Sequence, residues 1–159
     1  MGNQKTYFAL STPSGRSATA TIRISGPNSK STILKLLKNK DKSLKPGFNN
    51  VVCLYNKNND LIDKCVVVFY KSPKSFTGDD MVEIHTHGNP IIIETMSKEL
   101  LDLNLRLANP GEFTRAALLN NKIDLIQAES LLSLINAKSI TGVQISNTNL
   151  TGALTKSFK

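Results

Sequence analysis

The sequence predicts an α+β fold, and three observations carry that expectation. Short alternating β-branched and aromatic runs fill the first half, two apolar stripes with helical spacing interrupt and follow them, and beyond Pro110-Gly111 no strand signal returns. Strands are expected at Tyr7–Ser11, Thr19–Ser25, Val51–Tyr55, Cys65–Tyr70 and Met81–Thr86, bounded by Pro, Gly, Asn and Asp turns. A first helix is expected over Ser29–Lys38, where Ile33, Leu34, Leu36 and Leu37 form a stripe. A second begins after Asn89, with Pro90 at its first position and Ile91, Ile92, Met96, Leu100 and Leu101 facing inward. Glu112–Leu119 and then Asp124 to about Ser157 carry helical spacing, with Leu125, Ala128, Leu131, Leu132, Ile135, Ile145 and Leu154 as the stripe. A helix this long cannot cover its own apolar face, so partner helices are expected from a continuation of the chain or from a second copy.

With 159 residues and 40% apolar content, the chain can bury roughly two-thirds of its unfolded surface, enough for one core and an appended helical piece. No run approaches the ~20 apolar residues of a membrane span, and the start lacks a signal-peptide block, so the expected place is the cytoplasm, with no membrane partner. Cys53 and Cys65, the only cysteines, each sit in an apolar run and read as buried, reduced packing residues. The net charge of +8 is uneven: residues 1–50 hold nine Lys or Arg and one acid, while the remainder is balanced. Lys30, Lys35, Lys38, Lys40, Lys42 and Lys45 therefore form either a patch for RNA or a solvated lysine-rich helix and loop, and the lack of interleaved aromatics favours the second.

Polar residues with chemical potential cluster in three places. In the strand Thr19–Ser25, period two puts Ile22 and Ile24 on one face and Arg23 on the other, where its planar fork suits a carboxylate or a heterocycle; a structural ion pair is the plainer use. In Ser75–Gly88, the densest polar segment, Glu83, His85 and His87 share a face while Val82 and Ile84 point to the core. A carboxylate there can accept two parallel N–H bonds from a guanidine-like ring edge. The His-x-His pair also invites a metal reading, but two histidines fall short of the three protein ligands such a site needs, so no metal is expected. In the third place, Asn109–Ala116 opens a helix whose N-terminal N–H groups welcome an anion or a capping acid, and Lys122 lies just past that helix's end, where a dipole-pairing surface lysine is the ordinary reading. No phosphate-cradle motif, dinucleotide fingerprint or nucleophile motif occurs in these residues, and no catalytic side chain is expected.

Six ordered segments, Thr12–Arg16, Arg23–Gly26, Ser75–Glu83, His87-Gly88, Pro110–Ala116 and Asn121–Glu129, resemble in order and spacing the N-terminal part of the MnmE (TrmE) family of tRNA modification GTPases. The resemblance implies a mixed, mostly antiparallel sheet with packed helices, like the tetrahydrofolate-binding domain of one-carbon enzymes, over residues 1–118. The first long helices of an all-α domain follow over residues 119–159, and a Ras-like GTPase domain lies elsewhere in a longer protein. It further implies a homodimer that binds a 5-formyl or 5,10-methylene tetrahydrofolate, with the family's folate contacts carried onto Arg23, Glu83 and Lys122. GTP, magnesium and potassium belong to the GTPase domain. The implied partner is the flavoprotein MnmG (GidA), with tRNA as substrate, modified at C5 of the wobble uridine. The family's first loop usually carries Gly-Gly after its arginine, and Gly-His-Gly-Gly follows the acidic strand; here Ser17 and Ala18, and Thr86 and Asn89, take the glycine places. Two other readings compete: a self-sufficient folate-dependent one-carbon transferase using His85 or His87 as acid or base, and a basic RNA-binding adaptor.

Overall fold

Alternation in Thr19–Ser25 (β2) turns Ala20, Ile22 and Ile24 to a fully buried side and leaves Thr21 and Arg23 half-exposed. The same logic repeats along every long strand of the computed structural model, which describes residues 6–38 and 44–151. Besides β2, the strands are β1 (Tyr7–Leu10), β3 (Asn49–Tyr55), β4 (Leu61–Tyr70), β5 (Met81–His87) and β6 (Arg106–Leu107), in the sheet order β3-β4-β5-β2-β1-β6. All neighbours are antiparallel except β1 and β6, so the sheet is mixed and mostly antiparallel, as expected. The helices are α1 (Ser29–Lys35), α2 (Pro90–Asp102), α3 (Glu112–Leu119), α4 (Leu125–Asn136) and α5 (Ile140–Leu150).

The chain divides into two compact units, one ending at Phe113 and the other starting at Thr114. In the first, Phe8, Ile22, Ile24, Val67, Phe69, Val82 and Ile84 line one face of the sheet and join Ile33 and Leu36 of the α1 segment and Met96 and Leu100 of α2 in a single cluster. Both helices therefore cover the same face. Thr21, Arg23, Val66, Glu83 and His85 on the opposite face remain half-buried, and Thr19, Val51 and His87 are exposed.

Several expectations are corrected. Helix α1 stops at Lys35 rather than Lys38, because Leu37 pairs with Leu54 in an isolated bridge and Tyr55 N–H donates to the Leu36 carbonyl at 2.8 Å. In α2, Met96 and Leu100 are inside, but Ile91 and Leu101 are exposed, since a helix laid on a sheet buries a narrower stripe than five positions. Strand β4 begins at Leu61, four residues before the expected start, and β6 is too short to give an alternating signal; it forms by pairing with β1. Cys53 and Cys65 are both free thiols, but only Cys65 is buried and Cys53 is half-buried.

The second unit replaces the single long helix expected after Asp124 with two. Ala137 adopts an extended conformation (φ −62°, ψ 131°), and Ser139 caps α5 by accepting from Gly142 N–H at 3.1 Å. Asp124 and Gln127 close a reciprocal capping box at the start of α4. Ser130 and Ser146 are the buried residues of these two helices, while Leu125, Leu132, Ile135 and Ile145 of the expected apolar stripe are exposed. Leu154 lies outside the described residues, as do Lys40 and Lys42. Of the other lysines, the ammonium groups of Lys30 and Lys38 sit over the rings of Phe69 and Tyr55, at 5.1 and 5.5 Å from their centroids.

Ile84 is fully buried in the centre of the sheet. Ile84→Ala is expected to lower unfolding stability by about 2–5 kcal/mol, read from the urea midpoint at unchanged slope. Burial, and secondarily the charge of Asp63, pushes the Cys65 thiol up to about 12. At pH 8 it should therefore resist alkylation in the native protein and react on unfolding, as mass spectrometry of the trapped adducts would show.

Candidate ligand-binding face

The sheet face that α1 and α2 leave uncovered holds Arg23, Glu83, His85 and His87. Strands β2 and β5 pair in antiparallel register from Thr19–His87 to Ser25–Met81, so Arg23 stands directly opposite Glu83 and Thr21 opposite His85. The Arg23 Nε–H donates to Glu83 Oε1 at 2.7 Å, and the guanidinium carbon lies 6.0 Å from the centroid of the Phe76 ring. The Glu83 side chain is 12% exposed and that of Arg23 37%. A carboxylate so nearly enclosed is costly to leave without hydrogen-bond partners, and Tyr70 supplies a second, its hydroxyl donating to Oε2 at 3.3 Å. Burial, followed by the Glu83 charge, raises the Tyr70 phenol above its ordinary value, which keeps it a donor at neutral pH. His85 completes the group: its Nδ1 is 3.0 Å from Thr21 Oγ1, and its Nε2 lies 3.7 Å from Glu83 Oε2.

The loops at the edges of this face are fixed from the backbone. Ser17 N–H donates to the Gly88 carbonyl at 3.0 Å, and Gly88 N–H to the Ala18 carbonyl at 3.3 Å, locking the loop after Arg16 onto the end of β5. A Cβ on Gly88 would lie 2.1 Å from Ser17 Oγ and 2.5 Å from the Ser17 carbonyl oxygen, so no larger residue fits there without moving this loop. None of Ser17, Ala18, Thr86 and Asn89 has positive φ, and three have duties a glycine could not perform: Asn89 caps α2 by accepting from Ile91 N–H at 2.9 Å, the buried Thr86 hydroxyl donates to the His87 carbonyl at 3.2 Å, and the Ser17 hydroxyl donates to the Thr19 carbonyl at 2.6 Å. The segment before β5 is anchored by Asp80, which accepts from Ser72 N–H at 2.8 Å and from Lys71 Nζ at 2.9 Å.

Beside the Arg23–Glu83 pair, an open cavity of about 250 Å³ is lined by Thr19, Val51, Lys64, Val66, His85 and His87. His85 belongs to both. Among the described residues, no group of three or more His, Cys, Asp and Glu side chains is placed to hold a metal ion. At the start of α3, the position suited to an anion is taken by the chain's own Glu112, which accepts from Asn109 N–H at 2.8 Å and from both terminal nitrogens of Arg106. Lys122 lies in the second unit, exposed, its backbone N–H donating to the Ala117 carbonyl at 2.8 Å just after the left-handed turn at Asn121 (φ 54°).

The structure thus brings Arg23, Glu83 and His85 together and sets Lys122 in the other unit. Alternation identified the shared face but missed Tyr70 and Phe76, which reach Glu83 and Arg23 only through the pairing of β4 with β5 and the fold of the segment before β5. It also missed Asp63, 24 residues from His87 in sequence, whose carboxylate meets the His87 ring.

No helix among the described residues is long and apolar enough to cross a membrane. The family model described as "GTP-binding protein TrmE N-terminus" matches residues 6–122. The chain is 42% identical over 151 residues to the tRNA modification GTPase MnmE of Legionella pneumophila (strain Corby), covering 95% of this chain and 33% of that protein. It is 45% identical over 160 residues to MnmE of Fervidobacterium nodosum, covering 99% and 35%, and 42% identical over 150 residues to that of Thermotoga maritima, covering 94% and 33%. The chain therefore spans about a third of the length of these relatives. With the matched region running from β1 through α3 and taking in every strand of the sheet, the chain belongs to the family of the GTP-binding protein TrmE N-terminus.

Proposed function

We propose that this chain is the folate-binding and self-pairing part of a tRNA-modifying GTPase, in which a reduced folate, 5-formyl or 5,10-methylene tetrahydrofolate, lies on the uncovered sheet face. The observation that carries the reading is the Arg23–Glu83 pair, a nearly enclosed carboxylate held against a guanidinium in the middle of the sheet face opposite α1 and α2. Arg23 and Tyr70 use one lone pair on each Glu83 oxygen, leaving capacity for two more hydrogen bonds. The edge of a pterin, with two parallel N–H donors, suits that remaining capacity. In this reading Arg23 and Lys122 hold the polar and anionic parts of the ligand. The folate-binding domain is assigned to residues 1–118, and the start of a helical domain to residues 119–159.

The folate supplies the one-carbon unit for C5 modification of the wobble uridine in tRNA, in a cytoplasmic complex with the flavoprotein MnmG (GidA). GTP, with magnesium and potassium, is bound by a separate domain of the whole protein, since no phosphate-cradle motif occurs in these 159 residues. By themselves they do not hydrolyse GTP. The names of the relatives, all tRNA modification GTPases, support the reading at the level of the whole protein. The open apolar stripe of α4 and α5, with Leu132 and Ile135 exposed, fits a unit that packs against further helices and argues against the self-sufficient transferase.

Glu83→Gln keeps the size of the side chain and removes its charge. Because a hydrogen bond to a charged group is worth about 1.5–3 kcal/mol, this substitution should weaken binding of 5-formyltetrahydrofolate by about ten- to a hundredfold in calorimetric titration. Unchanged affinity would take Glu83 out of the site.

A further inference from the structure

At the end of β5 the ladder to β4 stops at the Val66–His85 pair, and one carboxylate takes over the next position. Asp63 accepts from the His87 backbone N–H through Oδ2 at 2.9 Å and meets the His87 Nδ1 through Oδ1 at 2.8 Å. Its side chain is 7% exposed, whereas that of His87 is 69% exposed. Strand termination alone explains the first bond. It does not explain the second, because an imidazole so exposed contributes little packing, and a carboxylate could close the strand end without gripping a ring.

The grip has a chemical consequence. An ionised carboxylate offers only acceptors, so the ring nitrogen that faces it carries the hydrogen, and in the neutral ring the other nitrogen carries a lone pair. That nitrogen, Nε2, belongs to a residue lining the cavity that His85 joins to the Arg23–Glu83 pair. We infer that Asp63 is a positioning residue that fixes His87 as the Nδ1–H tautomer, so that Nε2 accepts a hydrogen bond from an N–H or O–H donor of the ligand on the uncovered face. The inference rests on the reading of that face as a reduced-folate site, and it adds a second recognition point, of acceptor character, beyond the Glu83 carboxylate.

Two measurements on the full chain test it. The first is a nitrogen-15 spectrum of histidine-labelled protein at neutral pH, with wild type and His87→Gln compared for assignment. The expected result is a protonated Nδ1 and an unprotonated Nε2 for His87, with the pattern reversed in Asp63→Asn, whose amide can donate to Nδ1 while its oxygen still accepts the backbone N–H. A wild-type ring protonated at Nε2 overturns the inference whatever the ligand result. The second is titration with 5-formyltetrahydrofolate, in which the His87 Nε2 resonance should shift and both Asp63→Asn and His87→Ala should lose at least about tenfold in affinity, with a native circular dichroism spectrum retained. Wild-type binding with an unmoved Nε2 resonance, or with Asp63→Asn binding as tightly as wild type, overturns the dyad and leaves the folate reading standing. No binding to wild type removes the folate reading, and this inference with it.

Discussion

A six-stranded sheet with α1 and α2 packed on one face must resolve a conflict: its central strands need an apolar side to fold, yet the other side of the same strands carries half-exposed polar groups. Here the antiparallel register of β2 with β5 resolves it. The register that turns Ile22, Ile24, Val82 and Ile84 into the core sets Arg23 opposite Glu83 and Thr21 opposite His85 on the uncovered side. A slip of one residue would bury the charged pair and expose the core. Folding energy thus holds the polar group in place, and no separate device is needed to build it.

The pair is unlike an ordinary surface ion pair, which contributes little because water screens it. Glu83 is largely enclosed, and its environment supplies Arg23, Tyr70 and, at longer range, His85. Such a carboxylate is costly to leave without partners and is rigidly aimed. Those are the properties that a recognition group for a planar, donor-bearing ring requires. His87, oriented by Asp63 at the same end of β5 where Gly88 lets the loop after Arg16 approach, extends the polar group toward the cavity.

Much of this arrangement was legible in the residues. Alternation assigned the faces of β2 and β5, the polar density of Ser75–Gly88 marked the segment, and the ordered motifs pointed to the family that residues 6–122 match. What escaped was set by pairing rather than by local pattern. Tyr70 and Asp63 contribute through the position of β4 beside β5, which no single-strand periodicity encodes, and the two-residue β6 exists only because β1 is there to pair with it. The break at Ala137 was hidden because Ala137 and Lys138 are good helix formers, while the capping hydroxyl of Ser139 and the packing of two short helices favour an interruption. Where Lys122 lies relative to Glu83 is not encoded in either pattern, since the two belong to different compact units.

In the proposed site a reduced folate lies on this sheet face, against Glu83. A crystal structure of the protein soaked with 5-formyltetrahydrofolate tests it most directly. Density is expected for the pteridine ring over β2 and β5, with two ring nitrogens within about 3 Å of the Glu83 carboxylate oxygens. A ligand bound elsewhere, with the Arg23–Glu83 pair still facing solvent, would contradict it.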